Sequence, residues 1–199
     1  MNFLAHAYLS GENPKLMVGN FMGDFVKGKQ FEQFDKTIAN GILLHRLIDE
    51  FTDNHKTVAQ SKRRFSEKYR HYSGVIVDVA YDHYLAKNWS EYHTMDLLSF
   101  TQYVYNTLDQ YKEIFPERFG FMLGYMKRDN WLYNYAELSG IDRALTGMSK
   151  RTKFNSKMEM AAFDISKHYE ELEKEFNSFF PEVIAFVNSQ LKTLGKIPL

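Results

Sequence analysis

His6, Asp24, His45, Asp49, Asp53, Asp78, Asp82 and His83 each interrupt an otherwise apolar stretch of the chain. The run GILLHRLIDEFTDNH at 41–55 holds the densest group. On a helix, His45 and Asp49 stand one turn apart on one face, and Asp53 continues the row a turn further along. Leu44, Leu47, Ile48 and Phe51 repeat at helical spacing and form a core-facing stripe, with Ile42 on the other side of the polar row. The His-Asp row is therefore flanked by apolar side chains. A carboxylate in such a place needs a partner, because burying an unpaired charge is expensive. A metal cation is one partner; Arg46 or another base is the other.

Asp78 and Asp82 repeat the same four-residue spacing in VIVDVAYDHYLAKNW. Two packed helices that each offer such a pair can surround one or two cations. Carboxylate oxygens suit hard cations, and imidazoles move the preference toward Mn, Fe or Zn. A cation held there can acidify a water and polarise a phosphoryl oxygen. His6 or His83 could orient a ligand or act as a general acid. A single buried histidine is most often a hydrogen-bonded core residue. Four separate segments that each insert Asp or His into apolar surroundings point instead to a functional cluster.

The elements that position these residues read as helices. Residues 2–10 form a first apolar segment, and 15–27 a second short helix. Residues 34–54 form a third, with Gly41 a candidate break, and 57–72 a basic fourth. Residues 75–89 are apolar nearly all round; a helix is preferred to a buried strand because it sets Asp78 and Asp82 on one face. Residues 91–94 read as a loop. Helices follow at 95–114, 117–126 and 141–148. The stretch 158–194 is helical and expected to divide at Pro181. Strict period-two alternation is scarce. The expectation is one all-α domain over 1–199, a helical bundle with its metal-site motifs in 1–90. The helices of 91–199 would supply support or a lid.

Composition narrows the chemistry. The 199 residues are 44% hydrophobic and 25% charged, the balance of a globular protein with a sizeable core. Lys+Arg and Asp+Glu both total 25, so overall charge gives no argument for nucleic acid or an anionic membrane. The absence of cysteine excludes disulfides, a thiol nucleophile and zinc-thiolate sites. No window approaches the roughly 20 apolar residues of a membrane span, and MNFLAHAYLS lacks a signal-peptide pattern. A cytoplasmic location is the expectation.

Five blocks carry a resemblance. MNFLAHAYLS at the start, GNFMGDFVKG at 19–28, GILLHRLIDEFTDNH at 41–55, VDVAYDHYLAKNW at 77–89 and, more weakly, GIDRALTGMSKRT at 140–152 resemble the bacterial acyl carrier protein phosphodiesterases. The resemblance implies an α-helical fold related to the HD phosphohydrolases. It also implies a divalent metal, Mn first, with Mg, Fe or Zn as alternatives. The implied reaction removes 4′-phosphopantetheine from holo acyl carrier protein. Carried over by motif, Asp24, His45, Asp49, Asp78 and Asp82 are the ligand candidates. His6, Asp53 and His83 would orient ligands or transfer protons, and Arg46 would pair a ligand carboxylate or the phosphate. An HD hydrolase has adjacent His and Asp; here Arg46 follows His45, and the acid on that face is Asp49.

Acyl carrier proteins are strongly acidic, so a basic patch near the site is required. Lys27, Lys29, Arg63, Arg64 and Arg70 are candidates in the first half, and Lys150, Arg151 and Lys153 in the second. The alternatives are a hydrolase of nucleotides or other small phosphoesters, and a non-catalytic helical binding module with structural ion pairs. A carboxylate-bridged di-iron oxidase is disfavoured, because no Glu-x-x-His occurs.

Overall fold

Local signals start the helices. Asn13 accepts the Leu16 N–H at 3.2 Å and Pro14 takes the first turn, which opens α2, Pro14–Phe21, after α1, Phe3–Leu9. Asp35 accepts the Thr37 N–H at 2.9 Å and opens α3, Lys36–Asn54. His55 ends α3 and opens α4, Lys56–Tyr69, its Nδ1 accepting the Thr57 N–H at 3.2 Å. α5, Ser73–Lys87, follows. α6 (Trp89–Tyr92), α7 (Leu97–Asp109), α8 (Glu117–Arg128), α9 (Trp131–Asn134), α10 (Leu138–Ser149), α11 (Ala161–Lys167) and α12 (Tyr169–Leu194) complete the order. The computed structural model describes residues 1–194; residues 195–199 of the expected 1–199 domain lie outside it. Among the described residues the regular structure is entirely helical.

The expected helices 57–72 and 95–114 each end early, at Tyr69 and Asp109, and the expected loop 91–94 begins inside α6; three further differences have a packing reason. The segment 15–27 is not one helix: α2 ends at Phe21, and Gly23–Phe25 forms a 3-10 turn. Gly23 lies against the imidazole of His45, where a Cβ would collide. Gly41 does not break α3. It faces Gly19 of α2, and a Cβ on either glycine would strike the partner helix backbone. The two helices therefore approach closely, which brings the end of α2 and its following turn onto the middle of α3. In the stretch 158–194 the division falls at His168, and Pro181 lies inside α12. Phe176, Phe179, Phe180 and Val183 are all fully buried around it, so core packing holds the helix through the lost hydrogen bond.

The centre of the fold is α5. Ile76, Val77, Val79, Ala80, Tyr81, Tyr84 and Leu85 are fully buried, covering every side of the helix. α12 packs across α3, α4 and α5, while α1 lies between α2 and α5. Buried apolar side chains from Met1 to Leu194 form one contiguous cluster. No helix among the described residues is long and apolar enough to cross a membrane.

Candidate metal centre

The close packing of α1, α2 and α3 brings His6, His45 and Asp49 to one point, their donor atoms within 4.8 Å of one another. The His6 and His45 rings stack with centroids 4.1 Å apart. Nε2 of His6 lies 3.3 Å from Asp49 Oδ1, and Nε2 of His45 lies 3.1 Å from Asp49 Oδ2. Asp24, on the Gly23–Phe25 turn, adds a carboxylate oxygen 3.2 Å from His45 Nε2.

Both imidazoles are held from behind by Asn20. Its side-chain amide donates to the His6 carbonyl and to Ser10 Oγ, each at 2.9 Å. Its Oδ1 is thus free to accept, and takes the Nδ1–H of His6 at 2.8 Å. The backbone carbonyl of Asn20 takes the Nδ1–H of His45, also at 2.8 Å. A carbonyl can only accept, so Nδ1 carries the proton in both rings and Nε2 faces Asp49. This is the outer-shell arrangement that orients metal-ligating histidines. Nε2 of His6 is buried and has no hydrogen-bond donor or acceptor of its own. With its proton on Nδ1, it offers a lone pair toward a carboxylate oxygen, and a cation between them would satisfy both. The residues present fit a divalent metal in donor type and in aim.

The electrostatics agree. Burial, with the neighbouring His45, pushes His6 down to about 4, so it is neutral at neutral pH despite Asp49. Burial works against a charge on His45 as well, but the hydrogen bonds it donates to Asp24 and Asp49 overcome it and raise His45 to about 9. Burial also opposes ionisation of Asp49, yet the two histidines hold it well below the usual carboxylate range. The His45 imidazolium thus carries positive charge between two carboxylates.

The α5 carboxylates divide. Asp78 meets the centre across a cation: the Met1 α-ammonium lies 3.3 Å from Asp78 and 3.4 Å from Asp49. Burial raises Asp78, partly offset by that ammonium. Asp82 turns the other way. Fully buried, it accepts the Leu4 N–H at 2.8 Å and the Ala5 N–H at 3.1 Å. These are orphan amides at the start of α1, whose own N-cap residue, Asn2, does not cap them with its side chain. Burial lifts Asp82 to about 7 against those two hydrogen bonds. Its place is behind α1, where it fixes the helix that carries His6.

Asp53, Arg46 and His83 are not brought to the imidazoles. Asp53 is exposed and pairs with Lys62 at 2.7 Å. Two helical turns carry it about 80° around α3 from His45, enough to leave the cluster. Arg46 donates to the Val26 and Gly28 carbonyls at 2.9 and 2.8 Å and lies over the Phe31 ring. It pairs no carboxylate there and instead ties down the chain that follows Asp24. His83 points toward α9 and α12: its Nδ1 donates to the Tyr135 carbonyl and its Nε2 accepts from the Tyr169 hydroxyl, both at 2.7 Å. Both ring nitrogens are thereby satisfied within the core. Among the basic candidates, Arg64 is already ion-paired to buried Glu175. Asn20 escaped the sequence reading, although it lies in GNFMGDFVKG. A buried asparagine in an apolar block was the available signal.

A cleft of 320 Å³ borders this cluster at Asp24 and Asp78, with Met122 and Arg151 among its other walls. Asp24 thus touches His45 on one side and the cleft on the other. The profile of the family described as acyl carrier protein phosphodiesterase matches residues 1–183. The chain belongs to that family. Named relatives span nearly the whole of it. A protein from Serratia proteamaculans is 32% identical over 92% of this chain and 96% of its own length. One from Photorhabdus laumondii is 34% identical over 91% of this chain and 92% of its own, and one from Pectobacterium atrosepticum 33% over 96% and 99%. Each carries the name acyl carrier protein phosphodiesterase. No solved structure matches the chain.

Proposed function

We propose that this chain hydrolyses the phosphodiester linking 4′-phosphopantetheine to a serine of holo acyl carrier protein, using a divalent metal. The observation that carries the reading is the convergence of His6 Nε2, His45 Nε2 and Asp49, with both imidazoles fixed by Asn20. His6, His45 and Asp49 would hold the metal, with Asp24 and Asp78 as the carboxylates nearest to it. Mn suits a set that mixes imidazole and carboxylate, with Mg, Fe and Zn as alternatives. Bound there, the metal would acidify a water and neutralise charge on the phosphoryl oxygens.

The chain's own residues do the positioning. Asn20 holds both ring nitrogens in the metal-facing tautomer. Asp82 anchors α1, and Arg46 anchors the segment after Asp24. The cleft past Asp24 admits the diester. A water oxygen forms the new P–O bond, the bond to the serine oxygen breaks, and that oxygen takes up a proton. The products are apo acyl carrier protein and 4′-phosphopantetheine. In this reading the whole chain acts as one unit, with ligands from its first ninety residues and cleft walls from α8 and α10. The pairing of helices that carry His and Asp supports a relation to HD phosphohydrolases. A soluble carrier-protein substrate agrees with the cytoplasm.

The test is mass spectrometry of holo acyl carrier protein incubated with the purified chain and Mn. Loss of the phosphopantetheine mass is expected. Intact holo protein with each of Mn, Mg, Fe and Zn overturns the proposal.

A further inference from the structure

Beside the metal-centre cleft lies a larger groove of 830 Å³. Its walls include the aromatic faces of Phe25, Phe121, Tyr125 and Trp131. The two spaces share Met122 and Arg151 as walls, so they adjoin. Phe25 follows Asp24 directly, on the turn that serves the metal centre. Phe121 is 70% exposed and Tyr125 39%, a large apolar surface to leave in water beside a catalytic cleft.

Arg151 marks the junction. Its Nε donates to the Gly147 carbonyl at 3.1 Å, and its guanidinium lies over the Trp131 ring. These contacts aim the group but do not neutralise it, and among the described residues it forms no ion pair. A guanidinium left with free N–H groups at the mouth of such a cleft suits a phosphate oxygen.

We propose that this groove receives the pantetheine arm of the substrate, and that Arg151, where groove and cleft meet, pairs with the phosphate. The inference rests on the reading of the chain as a phosphopantetheine-releasing hydrolase. The reacting phosphorus must reach the cleft, so the arm attached to it must leave through adjoining space. The arm is neutral, extended and partly apolar, with two amides and a geminal dimethyl group. Aromatic faces suit it. The acidic surface of a carrier protein would require a cationic face, whereas this groove offers Arg118 and Arg151 with Glu117 opposing them.

Isothermal titration calorimetry with free pantetheine and free 4′-phosphopantetheine tests it on the full chain. Phe121→Gln and Tyr125→Gln replace exposed side chains with a helix-compatible one, so the fold should survive, as circular dichroism would confirm. Each is expected to weaken both ligands by about tenfold. Arg151→Ala is expected to weaken 4′-phosphopantetheine by about tenfold while leaving pantetheine within about twofold. Phe163→Gln, at an exposed aromatic outside the groove, should change neither. Failure of the wild type to bind pantetheine overturns the inference even if apo carrier protein is released, which leaves the hydrolase reading intact. Pantetheine binding lost in the groove variants, without release of apo protein by the wild type, supports the groove and sinks the hydrolase reading. If the groove variants raise KM for holo carrier protein but leave pantetheine binding unchanged, the face docks the carrier protein itself and the inference falls.

Discussion

His6 and His45, from two different helices, stack face to face at 4.1 Å and aim the same ring nitrogen at Asp49. Two imidazoles in that relation repel if both are protonated, and their surroundings separate them: burial, with His45 beside it, lowers His6, while Asp24 and Asp49 raise His45. His6 falls to about 4 and His45 rises to about 9. Without metal, the His45 proton stabilises the fold. Its contribution is complete below the ordinary value of 6.5 and is lost as pH rises through about 9. A metal must displace that proton and none from His6. Near neutral pH, binding should release about one proton, and affinity should rise about tenfold per pH unit until about pH 9. Calorimetry in buffers of different ionisation enthalpy counts the protons; release of two, or none, contradicts this charge assignment.

Asn20 should matter as much as a ligand. Asn20→Ala strips the acceptor from His6 Nδ1 and the donors from the His6 carbonyl and Ser10. Metal affinity should fall about 10- to 100-fold. Asn20→Asp keeps an acceptor for the ring and should recover part of the loss. Equal affinity in wild type and Asn20→Ala, measured by metal titration, would remove Asn20 from the centre.

Gly23 makes room for the His45 ring. In Gly23→Ala the new methyl group meets that ring directly, so the ring or the turn must move. Overpacking of this kind costs about 1–3 kcal/mol. The more specific expectation is a loss of metal affinity of about tenfold or more with helical content unchanged by circular dichroism. A variant that binds metal like the wild type would show that the turn can shift freely.

Asp82 and Asp53 give opposite expectations from the same residue type. Asp82→Ala leaves two buried α1 amides without an acceptor and should cost roughly 2–4 kcal/mol in urea unfolding. Asp53→Ala removes an exposed pair with Lys62, worth under about 1 kcal/mol, and should leave metal affinity unchanged. Loss of metal binding in Asp53→Ala would return that residue to the site.

The helical fold was legible because helical periodicity follows from local sequence. Leu44 and Ile48 are fully buried as their spacing predicts. The breaks were less legible. Pro181 disfavours a helix interior locally, but the packed phenylalanines of α12 outweigh it. Gly19 and Gly41 each look like weakness in a single helix and become an asset only when the two helices meet.

For the centre, sequence spacing determined that His45 and Asp49 share a face, since one helical turn separates them. It could not determine which of the other residues would join them. His6 and Asp24 come from other elements, and their arrival depends on the close crossing of α2 over α3. Asp82 shares a helix face with Asp78, but the start of α1 claims it first, because unpaired buried amides are costly. His83 is equally buried, yet Tyr135 and Tyr169 already satisfy it. Residue type and local spacing thus set which groups were available for chemistry. Only the tertiary packing decided which of them kept a free lone pair or charge for a ligand and which were consumed in holding the fold.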